Sequence, residues 1–258
     1  MSVTGSSGNR AERAEKRTAD PQNLIWVMPA EEGVSNEVIV VVAGGAPPDP
    51  EAALIVPLGA RVIAADSGLE HALALGLDVE IAVGDFDSAS PEAVARAEAG
   101  GTRIERYPAE KDATDLELAL DAAASFGPKR ILVLAGDGGR LDHLLSTLLL
   151  LGSSRYEAVE IDAFIGPARA YVVRRERTIE GEVGELVSLL ALHGAAEGAR
   201  TKGLMYPLAG ETLEPGSSRG VSNVFTDSIA RIMVERGVLL AVRPGVSTGL
   251  SAGGSKWL

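Results

Sequence analysis

Hydrophobic positions divide this chain into two unlike halves. Up to about residue 165, runs of β-branched residues alternate with stretches of helical periodicity. The strand-like runs are Val38–Val42, Arg61–Asp66, Glu80–Val83, Arg130–Leu134 and Val159–Phe164. Because strands that alternate with helices are joined by right-handed crossovers, this half predicts a parallel sheet in an α/β domain.

Helix-start signals lie between these runs. Asp49 and Ser90 are each followed by Pro and Glu, the pattern of an N-cap with a first-turn proline. Thr114 begins a capping-box pattern whose helix is predicted to run to about Phe126. The stretch Leu141–Leu151 is apolar on nearly all sides, which predicts a well-buried helix.

Beyond residue 170 the pattern changes to short strand-like runs separated by clusters of Gly, Pro and Ser. These runs are Ala170–Val173, Glu185–Leu192, Ser222–Phe225, Ile229–Val234 and Val238–Val242. Their spacing predicts an antiparallel sandwich or barrel. We therefore expect an α/β domain over residues 38–167 and a small all-β domain over 168–246, with mobile tails at 1–37 and 247–258.

Composition narrows the chemistry. The chain has 24 Lys and Arg against 36 Asp and Glu, a net charge of −12, which argues against a general nucleic-acid binder. It has no cysteine, which excludes disulfides and thiolate chemistry, and only three histidines, so a bound metal should be a hard ion with oxygen ligands. No apolar stretch approaches the ~20 residues of a membrane span, and we expect a cytoplasmic protein without membrane contact.

Carboxylates follow the strand-like runs of the first half, where open parallel sheets bind their ligands. They are Asp66, the pair Asp85 and Asp87, and the pair Asp137 and Asp142, and a further pair, Asp112 and Asp115, lies in the segment after Tyr107-Pro108. A single aspartate in such a position more often caps a turn or helix. Four groups at one sheet edge instead favour a shared cation, and Mg²⁺ together with a phosphate substrate suits them.

Basic and polar residues accompany these carboxylates. Lys111 and Arg140 could bind phosphate oxygens, although each alone is more often a solvated surface charge. Thr114 could assist an anion at the helix start or serve only as the cap. His143 could hydrogen-bond a phosphate or a base, with a structural role equally open, whereas His71 and His193 are predicted to be structural.

Known phosphate-loop signatures are absent from the sequence. There is no GxxxxGK[ST] motif, and no GxGxxG follows the first strand-like run. Gly44-Gly45 by itself is too weak a signal to indicate a phosphate loop.

A series of short motifs resembles the thiamine pyrophosphokinase family over roughly residues 38–243. Those of the first half are Asp66-Ser67-Gly68, Gly84-Asp85-Phe86-Asp87-Ser88, Lys111-Asp112-Ala113-Thr114-Asp115 and Gly139-Arg140-Leu141-Asp142-His143. Those of the second half are Val187-Ser188-Leu189-Leu190, Gly203-Leu204-Met205-Tyr206-Pro207-Leu208 and Gly220-Val221-Ser222-Asn223-Val224-Phe225. One such motif is weak, but this many in register are specific.

The resemblance implies a Rossmann-like α/β domain, a β-sandwich domain, a homodimer, and transfer of pyrophosphate from ATP to thiamine with release of AMP. By the same resemblance, Mg²⁺–ATP would be held by Asp66, Asp85, Asp87 and Asp115. The nucleotide and its phosphates would be lined by Ser67, Gly68, Lys111, Thr114, Arg140, Asp142 and His143. Thiamine would contact Tyr206, Ser222 and Asn223 near the other subunit. Ser67 stands where the family often has a second glycine.

Catalytic roles fall on Asp85, Asp87 and Asp115, and Asp115 is a plausible acceptor for the alcohol proton. Without the resemblance, Tyr206 would be interpreted as a strand aromatic and Ser222-Asn223 as a turn. Two alternatives remain at this stage: a pyrophosphokinase for another alcohol such as a pterin, and a non-catalytic sensor of nucleotide or thiamine diphosphate.

Overall fold

Six parallel strands form the sheet of the first half. In the computed structural model, which describes residues 37–245, these strands are β1 (Val38–Val42), β2 (Arg61–Ala65), β3 (Ile81–Gly84), β4 (Arg103–Arg106), β5 (Arg130–Ala135) and β6 (Glu160–Ile165). Their order is β4-β3-β2-β1-β5-β6, and each neighbouring pair is parallel. The chain therefore returns to the middle of the sheet between β1 and β5, a topological switch point of the kind where open α/β sheets bind ligands.

Among the described residues, four α-helices accompany this sheet: α1 (Gly68–Ala74), α2 (Pro91–Ala99), α3 (Asp115–Ser125) and α4 (Leu141–Leu151). Alternate residues of β1 enter separate hydrophobic clusters on the two faces of the sheet. Ile39 shares a cluster with Leu120 of α3, whereas Val40 shares one with Leu69 of α1. Burial on both faces explains why β1 is an uninterrupted β-branched run.

The helix-start predictions are largely confirmed. The hydroxyl of Ser90 accepts a hydrogen bond from the amide of Ala93 at 3.3 Å, and that of Thr114 accepts one from Glu117 at 3.2 Å. The signal at Asp49 instead begins a short 3-10 helix, Pro50–Ile55, and a second covers Ser154–Tyr156. Helix α1 was not predicted, because it has only seven residues and no side-chain cap.

The predicted deep burial of α4 is wrong. Leu151 at its end is fully buried, but Leu141, Leu145 and Leu149 are 68%, 52% and 49% exposed. These three residues recur every four positions and therefore share one face of the helix. A helix that is apolar on all sides is fully buried only when other parts of the protein cover each of its faces. None of the described residues covers the face of α4 that carries these three leucines.

In the second half, the residues up to 245 that the structure describes form seven strands. They are β7 (Ala168–Val173), β8 (Glu176–Glu180), β9 (Leu186–Lys202), β10 (Ala209–Leu213), β11 (Asn223–Val224), β12 (Ile229–Met233) and β13 (Arg236–Arg243). β7 pairs antiparallel with β6, and the order continues β7-β13-β9-β12-β8, with β10 and β11 also paired to β9. The predicted α/β half followed by an antiparallel β half is thus confirmed, and the parallel sheet passes directly into the antiparallel one.

Three strands were not predicted. β4 has the sequence Arg-Ile-Glu-Arg and lies at the edge of the sheet, so it lacks a hydrophobic run. β8 has the sequence Glu-Arg-Thr-Ile-Glu and β10 the sequence Ala-Gly-Glu-Thr-Leu, so neither contains a hydrophobic run. The predicted tails fall almost wholly outside residues 37–245. Within that range, no helix has the length and apolar character needed to cross a membrane.

Candidate active site

Two strand ends bring three aspartates together. Asp66 follows β2, and Asp85 and Asp87 follow β3. Each of the three offers a carboxylate oxygen that lies within 4.8 Å of those offered by the other two. Adjacent parallel strands end at the same edge, so two segments about 20 residues apart in sequence meet here.

The backbone at this edge is unusual. Asp66 and Phe86 have positive φ angles of 48° and 60°, a region that costs free energy for residues with a side chain. Gly84 has a φ of 150°, and a Cβ on it would lie 3.2 Å from both Oδ1 of Asp115 and Cα of Asp66. Gly84 therefore allows Asp115 to approach Asp66, which explains the glycine before Asp85.

The charge of this edge fits a divalent cation. Oδ1 of Asp66 is buried and has no hydrogen-bond donor among residues 37–245. Burial, followed by the nearby carboxylates of Asp115, Asp87 and Asp85, raises the pKa of Asp66. Ionised at neutral pH, these groups repel one another, and a hard cation with oxygen ligands would relieve both the repulsion and the unsatisfied oxygen.

Lys111 places a positive charge directly beside the aspartates of this edge. Its Nζ lies 2.9 Å from Oδ1 of Asp115 and 3.4 Å from Oδ2 of Asp85. Burial disfavours the charged form of Lys111, but these two carboxylates outweigh it and raise the pKa of the ammonium group. The pKa of Asp85 is lowered, first by the hydrogen bond from the amide of Asp87 and also by Lys111.

The remaining predicted nucleotide residues lie at the same edge with different surroundings. Thr114 caps α3, so its hydroxyl serves the helix. Arg140 and Asp142 form a two-pronged ion pair, Nε to Oδ1 at 3.1 Å and Nη2 to Oδ2 at 2.6 Å. The hydrogen bond from Arg140 lowers the pKa of Asp142 to about 2. His143 is exposed in the first turn of α4.

The loop after β1 belongs to this edge, and the sequence did not indicate it. The hydroxyl of Ser67 accepts a hydrogen bond from the amide of Gly45 at 3.2 Å. Nε2 of His71 lies 2.9 Å from the carbonyl oxygen of the same glycine. Ser67 and His71 thus hold the Gly45 segment at the switch point, which agrees with the structural role predicted for His71. The one feature of this loop visible in the sequence is the pair Gly44-Gly45, which by itself is too weak to indicate a site.

A separate cavity of about 390 Å³ opens in the antiparallel half, within the ~300–1,000 Å³ range of small-molecule pockets. Tyr206 and Asn223 line it, as does Arg219 with Ser217 and Ser218. The Tyr206 side chain is 55% exposed, so its ring is accessible to a ligand. In the sequence, Ser217, Ser218 and Arg219 belong to a polar segment between two strand-like runs, which gave no reason to assign them to a binding site.

Ser222 and Asn223 differ in accessibility. Ser222 is exposed, has a φ of 57°, and its amide donates to the hydroxyl of Ser188 at 3.1 Å. Asn223 is only 2% exposed, and its amide group is engaged by backbone atoms of Tyr206.

The two halves match two family models in the same order. Residues 59–163 match the thiamin pyrophosphokinase catalytic domain, and residues 174–239 match the thiamin pyrophosphokinase vitamin B1 binding domain. The chain belongs to the thiamine pyrophosphokinase family. The site residues from Asp66 to His143 lie within the match to the catalytic domain. The cavity beside Tyr206 lies within the match to the vitamin B1 binding domain.

Individual members of the thiamine pyrophosphokinase family agree with this assignment. A thiamine pyrophosphokinase of Bacillus subtilis is 29% identical over 192 residues, which cover 70% of this chain and 86% of that protein. The crystal structure of the Bacillus subtilis enzyme has a TM-score of 0.71 at 27% identity and covers 81% of this chain and 100% of that one. The thiamin pyrophosphokinase of Geobacillus thermodenitrificans has a TM-score of 0.69 at 27% identity, with coverage of 83% and 100%.

Proposed function

We propose that this protein is an ATP-dependent thiamine pyrophosphokinase, which makes thiamine diphosphate and AMP from thiamine and ATP. The observation that carries the proposal is the presence, in one chain, of both family domains together with the aspartate cluster at the switch-point edge. An alternative acceptor such as a pterin is not favoured, because the vitamin B1 binding domain is also matched.

We propose that Asp66, Asp85 and Asp87 hold Mg²⁺, with Asp115 beside them. Support comes from the convergence of their oxygens within 4.8 Å and from the buried oxygen of Asp66 that lacks a donor among the described residues. When bound, the cation would neutralise phosphate charge and polarise the transferred group.

The nucleotide residues follow from charge and position. Lys111 has an ammonium group beside the cluster, from which it can reach a phosphate oxygen that displaces one carboxylate partner. We assign Ser67, Gly68, Thr114, Arg140, Asp142 and His143 to the nucleotide. Ser67 and Thr114 would act by shaping the backbone, since their hydroxyls already bind Gly45 and Glu117.

The reaction needs positioning and charge neutralisation more than a strong base. The hydroxyl oxygen of thiamine bonds to the β-phosphorus of ATP, and the bond from that phosphorus to the α,β-bridging oxygen breaks. AMP leaves with the electron pair, and the hydroxyl proton passes to a carboxylate. We assign that acceptor role to Asp115, whose Oδ1 lies within 2.9 Å of Lys111.

Thiamine is a flat cation, and we place it in the Tyr206 cavity with Ser222 at its edge. The exposed ring of Tyr206 supports stacking and a cation–π contact. The other exposed side chains of the lining are the two serines, Arg219 and Val221, so the aromatic face of Tyr206 is the feature that suits a cationic ring.

We further infer a Rossmann-like topology and a homodimer. The strand order with its switch between β1 and β5 supports the first. The exposed leucine face of α4 supports the second, because monomeric proteins seldom leave such a stripe uncovered.

The test is an end-point assay with thiamine, ATP and Mg²⁺ in which nucleotides and thiamine esters are separated by chromatography. We expect equal amounts of AMP and thiamine diphosphate, and no product in EDTA. Asp85→Asn should lower turnover by at least about 100-fold without loss of fold. Asp78→Asn is the matched control, because Asp78 is exposed and precedes β3, whereas Asp85 follows the other end of the same strand.

Each contrary outcome has a definite meaning. ADP with thiamine monophosphate would contradict pyrophosphoryl transfer. Full activity of Asp85→Asn would remove Asp85 from the mechanism. Consumption of ATP only with another alcohol would contradict thiamine as the acceptor.

A further inference from the structure

The side chain of Asn223 is used almost entirely by the backbone of Tyr206. Its Oδ1 accepts a hydrogen bond from the amide of Tyr206 at 3.0 Å and another from Val224 at 2.9 Å. Its Nδ2 donates to the carbonyl of Tyr206 at 2.8 Å. Both acceptor positions of the amide oxygen are therefore filled, and with 2% exposure Asn223 has almost no surface left for a ligand.

The fold explains why a side chain takes this role. A short antiparallel pairing joins Leu204 to Phe225, and the amide of Met205 continues it by donating to the carbonyl of Val224 at 2.8 Å. The next backbone pair would place Tyr206 beside Asn223. The chain turns away there, because Ser222 has a φ of 57°, and the Asn223 amide satisfies both backbone groups of Tyr206 instead.

The residue after Tyr206 adds to this requirement. Pro207 has no amide hydrogen and restricts Tyr206 to extended conformations. The pairing therefore ends at Tyr206, and nothing in the backbone beyond it can donate a compensating hydrogen bond at Pro207. The direction in which the Tyr206 backbone projects its side chain at the cavity consequently depends on the Asn223 amide.

We propose that Asn223 is a positioning residue for Tyr206: it holds the Tyr206 peptide so that the ring is preorganised to stack on the acceptor, and it does not bind the acceptor itself. The proposal rests on the proposed function, in which thiamine occupies the Tyr206 cavity. A preorganised ring loses less conformational freedom when a ligand binds, so loss of the amide should weaken thiamine binding without affecting the nucleotide.

The test is a double-mutant cycle with Tyr206→Ala and Asn223→Ala, read as KM for thiamine, KM for ATP, kcat and direct thiamine binding by calorimetry. We expect Asn223→Ala to raise the thiamine KM and Kd by about 10-fold. The KM for ATP should stay within about twofold of wild type. In a Tyr206→Ala background, Asn223→Ala should change thiamine binding by less than about twofold.

A second variant covers the case in which Asn223→Ala does not fold. Asn223→Asp has nearly the same shape and keeps both acceptor bonds, but it replaces the donor to the Tyr206 carbonyl with an oxygen. We expect it to raise the thiamine KM too, and Tyr206→Ala should again abolish its effect. Thr102→Val is the stability control, because it removes one buried hydrogen bond, to the carbonyl of Val79 at 2.9 Å, far from the cavity in sequence.

The outcomes separate this inference from the proposed function. If the fold-changes in thiamine affinity caused by Tyr206→Ala and by an Asn223 substitution multiply in the double variant, Asn223 contacts thiamine directly and the positioning role is wrong. The positioning role is also wrong if the Asn223 variants leave thiamine binding unchanged while Tyr206→Ala weakens it, and in that case Asn223 makes no direct contact with thiamine that matters for binding. If Tyr206→Ala itself leaves thiamine binding unchanged, thiamine does not occupy this cavity, and both the assigned site and the inference fail.

Discussion

The Nζ atom of Lys111 lies 2.9 Å from Oδ1 of Asp115, the first residue of α3 and four positions further along the chain. The same ammonium group is 3.4 Å from Oδ2 of Asp85, which follows a different strand. The Lys111 side chain thus links the start of α3 to the end of β3, at the edge where Asp85 also converges with Asp66 and Asp87. The charges of Asp85 and Asp115 are therefore balanced in part by the same ammonium group.

Lys111→Met should therefore impair both catalysis and stability. The methionine keeps most of the apolar stem but leaves Asp85 and Asp115 unneutralised, so in EDTA we expect Tm to fall by about 2 °C. Excess Mg²⁺ should restore most of that loss, whereas kcat/KM should remain about 100-fold low because a phosphate partner is missing. Differential scanning fluorimetry and steady-state kinetics measure these effects.

Lys129→Met is the control for Lys111→Met. Lys129 pairs with Glu37 but is fully solvated at the surface, so its loss should leave kinetics and Tm nearly unchanged. A Tm loss of Lys111→Met that Mg²⁺ did not reverse would contradict charge neutralisation as its cause.

Asp66→Asn should stabilise the metal-free protein and abolish its response to metal. Folding raises the pKa of Asp66, so the folded state favours the protonated carboxyl group. The stability that this group contributes is fully present below its pKa in the unfolded chain, and it is lost as the pH rises through its pKa in the folded protein. At pH 7 the ionised carboxylate is therefore unfavourable, and the asparagine should raise Tm in EDTA by about 2 °C. Asparagine also tolerates the positive φ of this position.

The pH dependence provides the check for Asp66→Asn. The Tm difference from wild type should shrink as pH falls toward about 4, because wild-type Asp66 becomes protonated. Mg²⁺ should raise the Tm of wild type but not of the variant. Stabilisation by Mg²⁺ that was equal in both would show that Asp66 is not a ligand.

Ser67→Ala should affect ATP more than thiamine. The serine hydroxyl holds the amide of Gly45 at 3.2 Å, and losing a hydrogen bond of this kind costs about 1 kcal/mol. We expect Tm to fall by about 2–4 °C and the KM for ATP to rise, with little change for thiamine. Ser125→Ala, which removes an exposed hydrogen bond at the end of α3, is the control, and an equal rise in both KM values would argue against a nucleotide role.

Leu145→Glu should convert the proposed homodimer to a monomer. The leucine stripe of α4 is the most exposed apolar face on any of the described helices, with Leu145 at its centre. Size-exclusion chromatography with light scattering should give twice 26.7 kDa for wild type and 26.7 kDa for the variant. Leu58→Glu is the control, because Leu58 is 74% exposed in a loop; a wild-type monomer, or a dimer of Leu145→Glu, would contradict this interface.

Local patterns in the sequence were sufficient for the order of most elements and for the position of the carboxylates, although not for α1, β4, β8 and β10. β1 could be predicted because a strand buried on both faces must be apolar throughout. The start of α3 could be predicted because Thr114 meets the need of free amides within its own turn. Asp66 and Asp85 could be assigned to one edge because parallel strands end on the same side.

Tertiary structure decided what each side chain meets. The leucines of α4 have the composition of a core helix, but exposure depends on whether another surface covers them. The Ser67–Gly45 bond and the Asn223–Tyr206 bonds join residues 22 and 17 positions apart, and no local periodicity encodes such pairs. The sequence by itself therefore determined where reactive groups emerge from the sheet, and only the packed fold decided which of them remain available to a ligand, because that depends on partners brought together from distant parts of the chain.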